Sequence, residues 1–163
     1  MVFTGTYEHT IDSKNRLAIP AEVRSQMQRE VADGGESGAG TIGLYVTLGE
    51  GGTLNLYTER GFERRAEELD DSELEPTQLL AYERLLFSLA QRVEMDKQGR
   101  VRLPESLLKR TSLGTDVVLL GVKDRLEIRD RDAWQAYVEE LLKAQPDLLM
   151  NPRQAMRKPE TAF

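Results

Sequence analysis

Ile11-Asp12-Ser13-Lys14-Asn15-Arg16-Leu17-Ala18-Ile19-Pro20 and Met95-Asp96-Lys97-Gln98-Gly99-Arg100-Val101-Arg102-Leu103-Pro104 are two versions of one pattern, and their coincidence decides the fold. At a single offset Asp, Arg and Pro coincide, and apolar residues match at Ile11/Met95, Leu17/Val101 and Ile19/Leu103. The match resumes further on at a shorter offset. Val46-Thr47-Leu48-Gly49 lies over Val118-Leu119-Leu120-Gly121, Leu54 and Leu56 over Leu126 and Ile128, and Phe62 over Trp134. The difference is absorbed by residues 31–40, Val-Ala-Asp-Gly-Gly-Glu-Ser-Gly-Ala-Gly, which has the composition of a flexible surface loop. Agreement in the same order on both sides of one such gap marks an internal duplication.

Each copy follows one plan. An alternating strand (Thr6, Glu8 and Thr10 on one side, Tyr7, His9 and Ile11 on the other) leads into a turn over residues 12–15. Asn15 and Gly99 share a turn position, and these two residue types best tolerate positive φ. A second strand follows over 16–19 or 100–103. Pro20 or Pro104 then opens a helix where a missing N–H costs nothing, with Glu22 or Glu105 in its first turn. A hairpin comes next, 42–48 against 54–57, with its twin at 117–122 against 126–129. Each copy closes with an amphipathic helix, carrying Phe62, Ala66 and Leu69 in the first and Trp134, Tyr137, Val138 and Leu141 in the second.

The resulting organisation is a first repeat over 5–60 with the flexible insertion at 31–40, a helical connection over 61–90, and a second repeat over 91–133. A C-terminal helix and loose tail occupy 134–163. In the connection, Leu79, Leu80, Tyr82, Leu85, Leu86 and Leu89 predict a helix with a broad buried face. A module of about fifty residues is marginal alone. Two on one chain can bury their apolar faces together, so the expected product is one α+β, pseudo-twofold, barrel-like body with flanking helices.

The chain has 163 residues and no cysteine, which excludes disulfides and thiolate metal sites and fits a reducing cytoplasm. Its start is too short and polar for a signal peptide, and no apolar run approaches about 18 residues, so a soluble intracellular protein is expected. A net charge of -6 weighs mildly against a polyanionic partner. Charge is unevenly distributed, however. Residues 92–110 hold six basic and three acidic residues, a local +3, whereas residues 59–75 hold eight acidic residues and three arginines, a local -5. A phosphate would meet the basic edge, not the average.

Strand, Asp-x-x-x-Arg, short apolar strand, Pro and helix resemble the signature of the AbrB-like swapped-hairpin superfamily. Two copies on one chain, beginning Met1-Val2-Phe3-Thr4-Gly5-Thr6-Tyr7-Glu8-His9, resemble the MraZ family in particular over residues 3–142. That resemblance implies a swapped-hairpin β-barrel, a ring-shaped homo-oligomer, and a transcription regulator in the cytoplasm and nucleoid. It further implies double-stranded DNA as partner, with repeated short elements near the division and cell-wall genes and the regulator's own promoter as targets. The motif positions carried over are Asp12 and Arg16, and Asp96 and Arg100. Asn15 replaces a usual glycine, the insertion lengthens the first copy, and Ser88 replaces a usual glycine in the central helix.

Physical chemistry supports the same residues. Asp12 or Asp96 can accept turn N–H groups and fix the guanidinium of Arg16 or Arg100. A pre-ordered arginine loses less entropy on meeting a phosphate or guanine edge, and its planar fork suits both. Arg102 should project from the strand face that carries Arg100, with Val101 and Leu103 inward. Lys14 and Lys97 add charge in the turns and suit phosphate contacts. An Asp–Arg pair across a turn is commonly just a surface salt bridge worth up to about 1 kcal/mol, and such a pair can repeat by descent. Arginine at the same solvent-facing position of both copies favours the DNA reading.

Catalysis finds no support. His9 is the one histidine, in a strand, and no nucleophile–base–orienter set can be assembled around it. Asp12 and Asp96 have no companion metal ligands, and Gly34-Gly35 and Gly51-Gly52 lack the lysine of a phosphate loop. No cofactor, membrane or small-molecule substrate is implied. The rival expectation is an oligomeric protein-interaction scaffold or antitoxin-like module, using the acidic stretch 59–75 as a partner surface.

Overall fold

The computed structural model describes residues 1–34 and 40–150. The chain divides into two units, Met1–Arg131 and Asp132–Phe163. The first half supplies β1 (Thr6–Thr10), β2 (Arg16–Ala18), α1 (Ala21–Asp33), β3 (Gly43–Leu48), β4 (Leu54–Thr58) and α2 (Glu59–Asp70). A connecting helix, α3 (Pro76–Leu89), leads to β5 (Gln91–Glu94), β6 (Arg100–Arg102), α4 (Glu105–Leu108), β7 (Asp116–Val122) and β8 (Arg125–Asp130). The helix α5 (Arg131–Ala144) follows. In its unit Trp134 stacks on Tyr137 at 5.6 Å, as i, i+3 neighbours on a helix can. The class is α+β, as the duplicated plan implies.

Strand pairing interleaves the two halves. The sheet order is β1-β7-β8-β4-β3-β5, antiparallel throughout. Each edge strand lies on the other half's hairpin: β1 on β7 (Thr6↔Leu120 to Thr10↔Asp116), β5 on β3 (Gly43↔Glu94 to Val46↔Gln91). At the centre β4 meets β8 from Leu54↔Ile128 to Leu56↔Leu126. Neither half completes its sheet alone, which removes the size problem of a fifty-residue module.

The expected closed barrel is not formed. Among the described residues the strands make this six-stranded sheet and a separate two-stranded ribbon of β2 and β6. Each ribbon strand runs three residues and is soon followed by Pro20 or Pro104, which has no N–H to extend a ladder. A strand that short cannot bridge to the sheet edges and close it.

Inward residues of sheet and ribbon form one core. Leu17 and Val101 from the ribbon, Val23 and Met27 from α1, and Leu44, Leu54, Leu56, Leu119, Leu126 and Ile128 from the sheet share it, all nearly fully buried. Burying a leucine of this kind contributes about 1.5–3 kcal/mol. On the sheet's other face Tyr45 stacks on Phe62 at 4.4 Å, and Phe62 meets Phe87 at 5.4 Å, which ties α2 and α3 to β3.

Two further expectations are corrected. Val31, Ala32 and Asp33 belong to the last turn of α1, since helical hydrogen bonds continue to the Gly34 cap. The remainder of the glycine-rich insertion, 35–39, and the tail from 151 lie outside the described residues. The broad buried face of α3 is also absent: Leu86 is buried, but Leu80, Tyr82, Leu85 and Phe87 are exposed, Leu85 by 64%. One chain offers that stripe too little surface to pack on.

Candidate nucleic-acid interface

The two Asp-to-Arg turns fold identically, bond for bond. In the first, the Asn15 N–H donates to the Asp12 carbonyl (3.0 Å) and the Asp12 N–H to the Arg16 carbonyl (3.0 Å). The Asp12 carboxylate lies inside this loop. Its Oδ1 accepts the Lys14 N–H (2.9 Å) and Arg16 N–H (2.8 Å), and its Oδ2 accepts Arg16 Nε (2.7 Å). In the second, Asp96 Oδ1 accepts the Gln98 N–H (2.9 Å) and Arg100 N–H (3.0 Å), and Oδ2 accepts Arg100 Nε (3.1 Å). Asn15 (φ 60°) and Gly99 (φ 77°) make the left-handed step that closes each loop, as their residue types predict.

Backbone N–H donors to a carboxylate favour its charged form. The Arg16 N–H is the largest influence on Asp12; desolvation opposes it, and the Arg16 guanidinium and Lys14 N–H act with it, so that the carboxyl is held down at about 2. Asp96 is lowered in the same way, led by the Arg100 N–H. Both carboxylates are therefore fixed anions at neutral pH. Each uses only Nε of its arginine, and among the described residues Nη1 and Nη2 of Arg16 and Arg100 form no bond to the chain. The terminal fork, whose geometry suits a phosphate or a guanine edge, is oriented by the Nε bond.

Folding brings the two turns together by pairing their strands. The ribbon register is Arg16↔Arg102, Leu17↔Val101, Ala18↔Arg100. With Leu17 and Val101 fully buried, alternation places Arg16, Arg100, Arg102 and Ala18 on the outer face. Leu103 N–H to the Asn15 carbonyl (2.7 Å) and Ile19 N–H to the Gly99 carbonyl (2.9 Å) extend the ladder to both turns. Arg16 thus stands directly across from Arg102, which has no carboxylate partner among the described residues. Like charges opposite one another destabilise a strand pair. Five cations (Lys14, Arg16, Lys97, Arg100, Arg102) stand here with the two motif carboxylates, and Glu94 and Glu105 line the cleft beside Lys14 and Arg102, a local balance less acidic than the chain's overall -6.

Lys14 and Lys97 are both exposed, but in different turn positions: the residue matching Lys14 is Gln98. Sequence reading missed one neighbour. The side chain of Arg24, on α1, lies against Gly99, where an added Cβ would fall 2.6 Å from Arg24 Cδ. The matching position in the second copy is Leu108, so the repeat gave no sign of it. His9 sits in β1 and is lowered in pKa, by burial and then by the charge of Arg131. Among the described residues no group of three or more His, Asp or Glu side chains could hold a metal ion. No described helix is long and apolar enough to cross a membrane.

The strands define an α+β chain in which a duplicated Asp-to-Arg turn is paired into an arginine-faced β ribbon beside an interleaved sheet. A family model described as "MraZ protein, putative antitoxin-like" matches residues 2–80 and 86–151. Relatives named "Transcriptional regulator MraZ" include one from Ligilactobacillus salivarius, 35% identical over 85% of this chain and 88% of its own length. Another, from Heliobacterium modesticaldum, is 35% identical over 85% and 87%, and a third, from Clostridium tetani, 33% over 83% and 87%. The chain belongs to the MraZ family. That family bears the name of a regulator rather than an enzyme.

Proposed function

We propose that this chain is a sequence-specific, DNA-binding transcription regulator whose contact surface is the arginine face of the β2–β6 ribbon. The observation that carries the reading is the pairing of the two motifs, which sets Arg16, Arg100 and Arg102 side by side on one outward face. Arg16 and Arg100 are the principal contacts, with Asp12 and Asp96 orienting them, while Lys14, Lys97 and Arg102 engage phosphates or further base edges. The exchange of β1 and β5 between halves supports reading the fold as a swapped-hairpin pair with an approximate twofold axis between β4 and β8.

The exposed apolar stripe of α3 supports a homo-oligomer, and a closed ring is the form proposed. Several ribbons on one rim would bind repeated short DNA elements with an avidity no single ribbon reaches, despite the acidic total. The proposed targets are the division and cell-wall gene cluster and the regulator's own promoter, in the nucleoid-associated cytoplasm. The test is fluorescence anisotropy with a duplex from upstream of the gene against a scrambled duplex, with light scattering for mass. Tight, sequence-dependent, salt-sensitive binding by an oligomer is expected. A folded oligomer that ignores both duplexes at low salt would instead be an interaction scaffold or antitoxin-like module.

A further inference from the structure

The two halves of the ribbon surface differ at several cations, Lys14 matching Gln98 and Ala18 matching Arg102, and one of the differences lies on a helix beside the turns. Arg24 projects from α1 of the first half onto the turn of the second half, covering Gly99 closely: an added Cβ there would lie 2.5 Å from Nη1, 2.6 Å from Cδ and 2.7 Å from Cζ. Its Nε is buried without a hydrogen-bond partner, and among the described residues no carboxylate pairs with its guanidinium. The matching residue over the first turn is Leu108, which carries no charge. Beside Arg24 opens a cleft of about 310 Å³, lined by Gln28, Thr41, Asp96, Lys97 and Gly99 among others. The carboxylate in that lining, Asp96, is engaged by Arg100 and two backbone N–H groups.

We propose that this cleft is a phosphodiester site, in which Arg24 and Lys97 clamp one backbone phosphate beside the second turn. It rests on the DNA-binding reading above and adds to it a polarity. Arg24 gives the second turn a cation from the flanking helix, where the first turn has Arg102 across the ribbon from Arg16, so the backbone would be held at different places at the two turns and the ribbon would sit on DNA in a preferred direction. An unpartnered guanidinium needs an acceptor for its donors, and a two-pronged cation beside Gln28 and Thr41 suits a tetrahedral anion. Phosphate contacts position a protein without reading sequence. Arg24 should therefore contribute equally on cognate and scrambled duplexes.

The experiment measures anisotropy of wild type, R24A, R24K and R29A across a salt series on both duplexes, with melting temperatures beside them. One phosphate contact contributes about 0.9 to the slope of log affinity against log salt. R24A, which leaves Lys97 on the same phosphate, should show a slope shallower by up to that amount on both duplexes, so that its deficit relative to wild type grows, by up to about threefold, between 200 mM and 50 mM salt. R24K should restore the slope, and R29A, a charge change elsewhere on α1, should leave it unchanged. If R24A keeps the wild-type slope while R16A/R100A loses binding, the cleft holds no phosphate and the DNA reading stands. If R24A weakens binding at unchanged slope, Arg24 only supports the turn and the proposal is overturned. If wild type binds neither duplex, the DNA reading fails and takes this inference with it.

Discussion

Replacing Gly99 by alanine should destabilise the protein through two separable costs. The first is the backbone: at φ 77° an L side chain is in the left-handed region, which costs roughly 1–2 kcal/mol. The second is steric, because the new Cβ falls within 2.7 Å of three Arg24 atoms, one of them Cδ in the middle of the side chain. Arg24 must leave the turn and give up the packing of its aliphatic stem, at a cost of about 1 kcal/mol. The sum is roughly 2–3 kcal/mol, or on the order of 6–12 °C in melting temperature for a unit of this size. Gly51→Ala is the matched control, since its φ is 69° and nothing lies within 4 Å of the added Cβ, so only the backbone cost applies. Urea unfolding of G99A, G51A, R24A and R24A/G99A separates the two. G99A should exceed G51A by about 1 kcal/mol, and that excess should vanish in the R24A background. Equal costs for G99A and G51A, with no coupling to Arg24, would refute the placement of Arg24 on the turn.

Other consequences are as concrete. Leu17→Ala empties a fully buried position at the ribbon centre and should cost about 2–5 kcal/mol by urea unfolding, with any loss of DNA binding following unfolding. Asp12→Asn/Asp96→Asn removes two negative charges from the site, so bare electrostatics predicts tighter binding. Loss of orientation predicts instead that discrimination between cognate and scrambled duplexes falls, and anisotropy on the two duplexes decides. Because the Asp12 carboxyl is held below its ordinary 3.8, at about 2, its contribution to stability is complete above pH 4. It should be lost as pH falls from about 4 to 2, and D12N should show a flatter acid limb in thermal melts. Leu85→Glu, on the exposed face of α3, should reduce the oligomer mass measured by light scattering without lowering the melting temperature of the chain.

Much of this molecule was legible in its residues because its decisive interactions are local. Asp-x-x-x-Arg with Asn15 or Gly99 between describes a loop whose bonds all close within five residues, and the structure forms it twice. Hairpins and helices followed from alternation and periodicity in the same way. The pairing of strands between halves was not legible, because Arg16↔Arg102 joins residues far apart in sequence and no local preference specifies it. The barrel expectation failed on the same ground: closure depends on how far a three-residue strand can reach, which periodicity does not state. The apolar stripe of α3 was read correctly as apolar and wrongly as buried. A pattern of leucines reports a face to be covered, not what covers it. Arg24 escaped notice because its importance lies in the turn it crosses rather than in its own helix.

The most direct test of the central claim is the salt dependence of operator binding by R16A/R100A beside wild type. Both arginines are on the outer face of the ribbon and each gives up one ion pair worth up to about 1 kcal/mol, so the double mutant should fold, melt only a few degrees lower and keep its oligomer mass. The predicted result is weak binding with a slope shallower by about 1.8 per engaged ribbon, from two lost contacts of about 0.9 each. A folded double mutant that binds the operator with wild-type affinity and slope would contradict the account, because the paired arginine face would then not be where DNA is held.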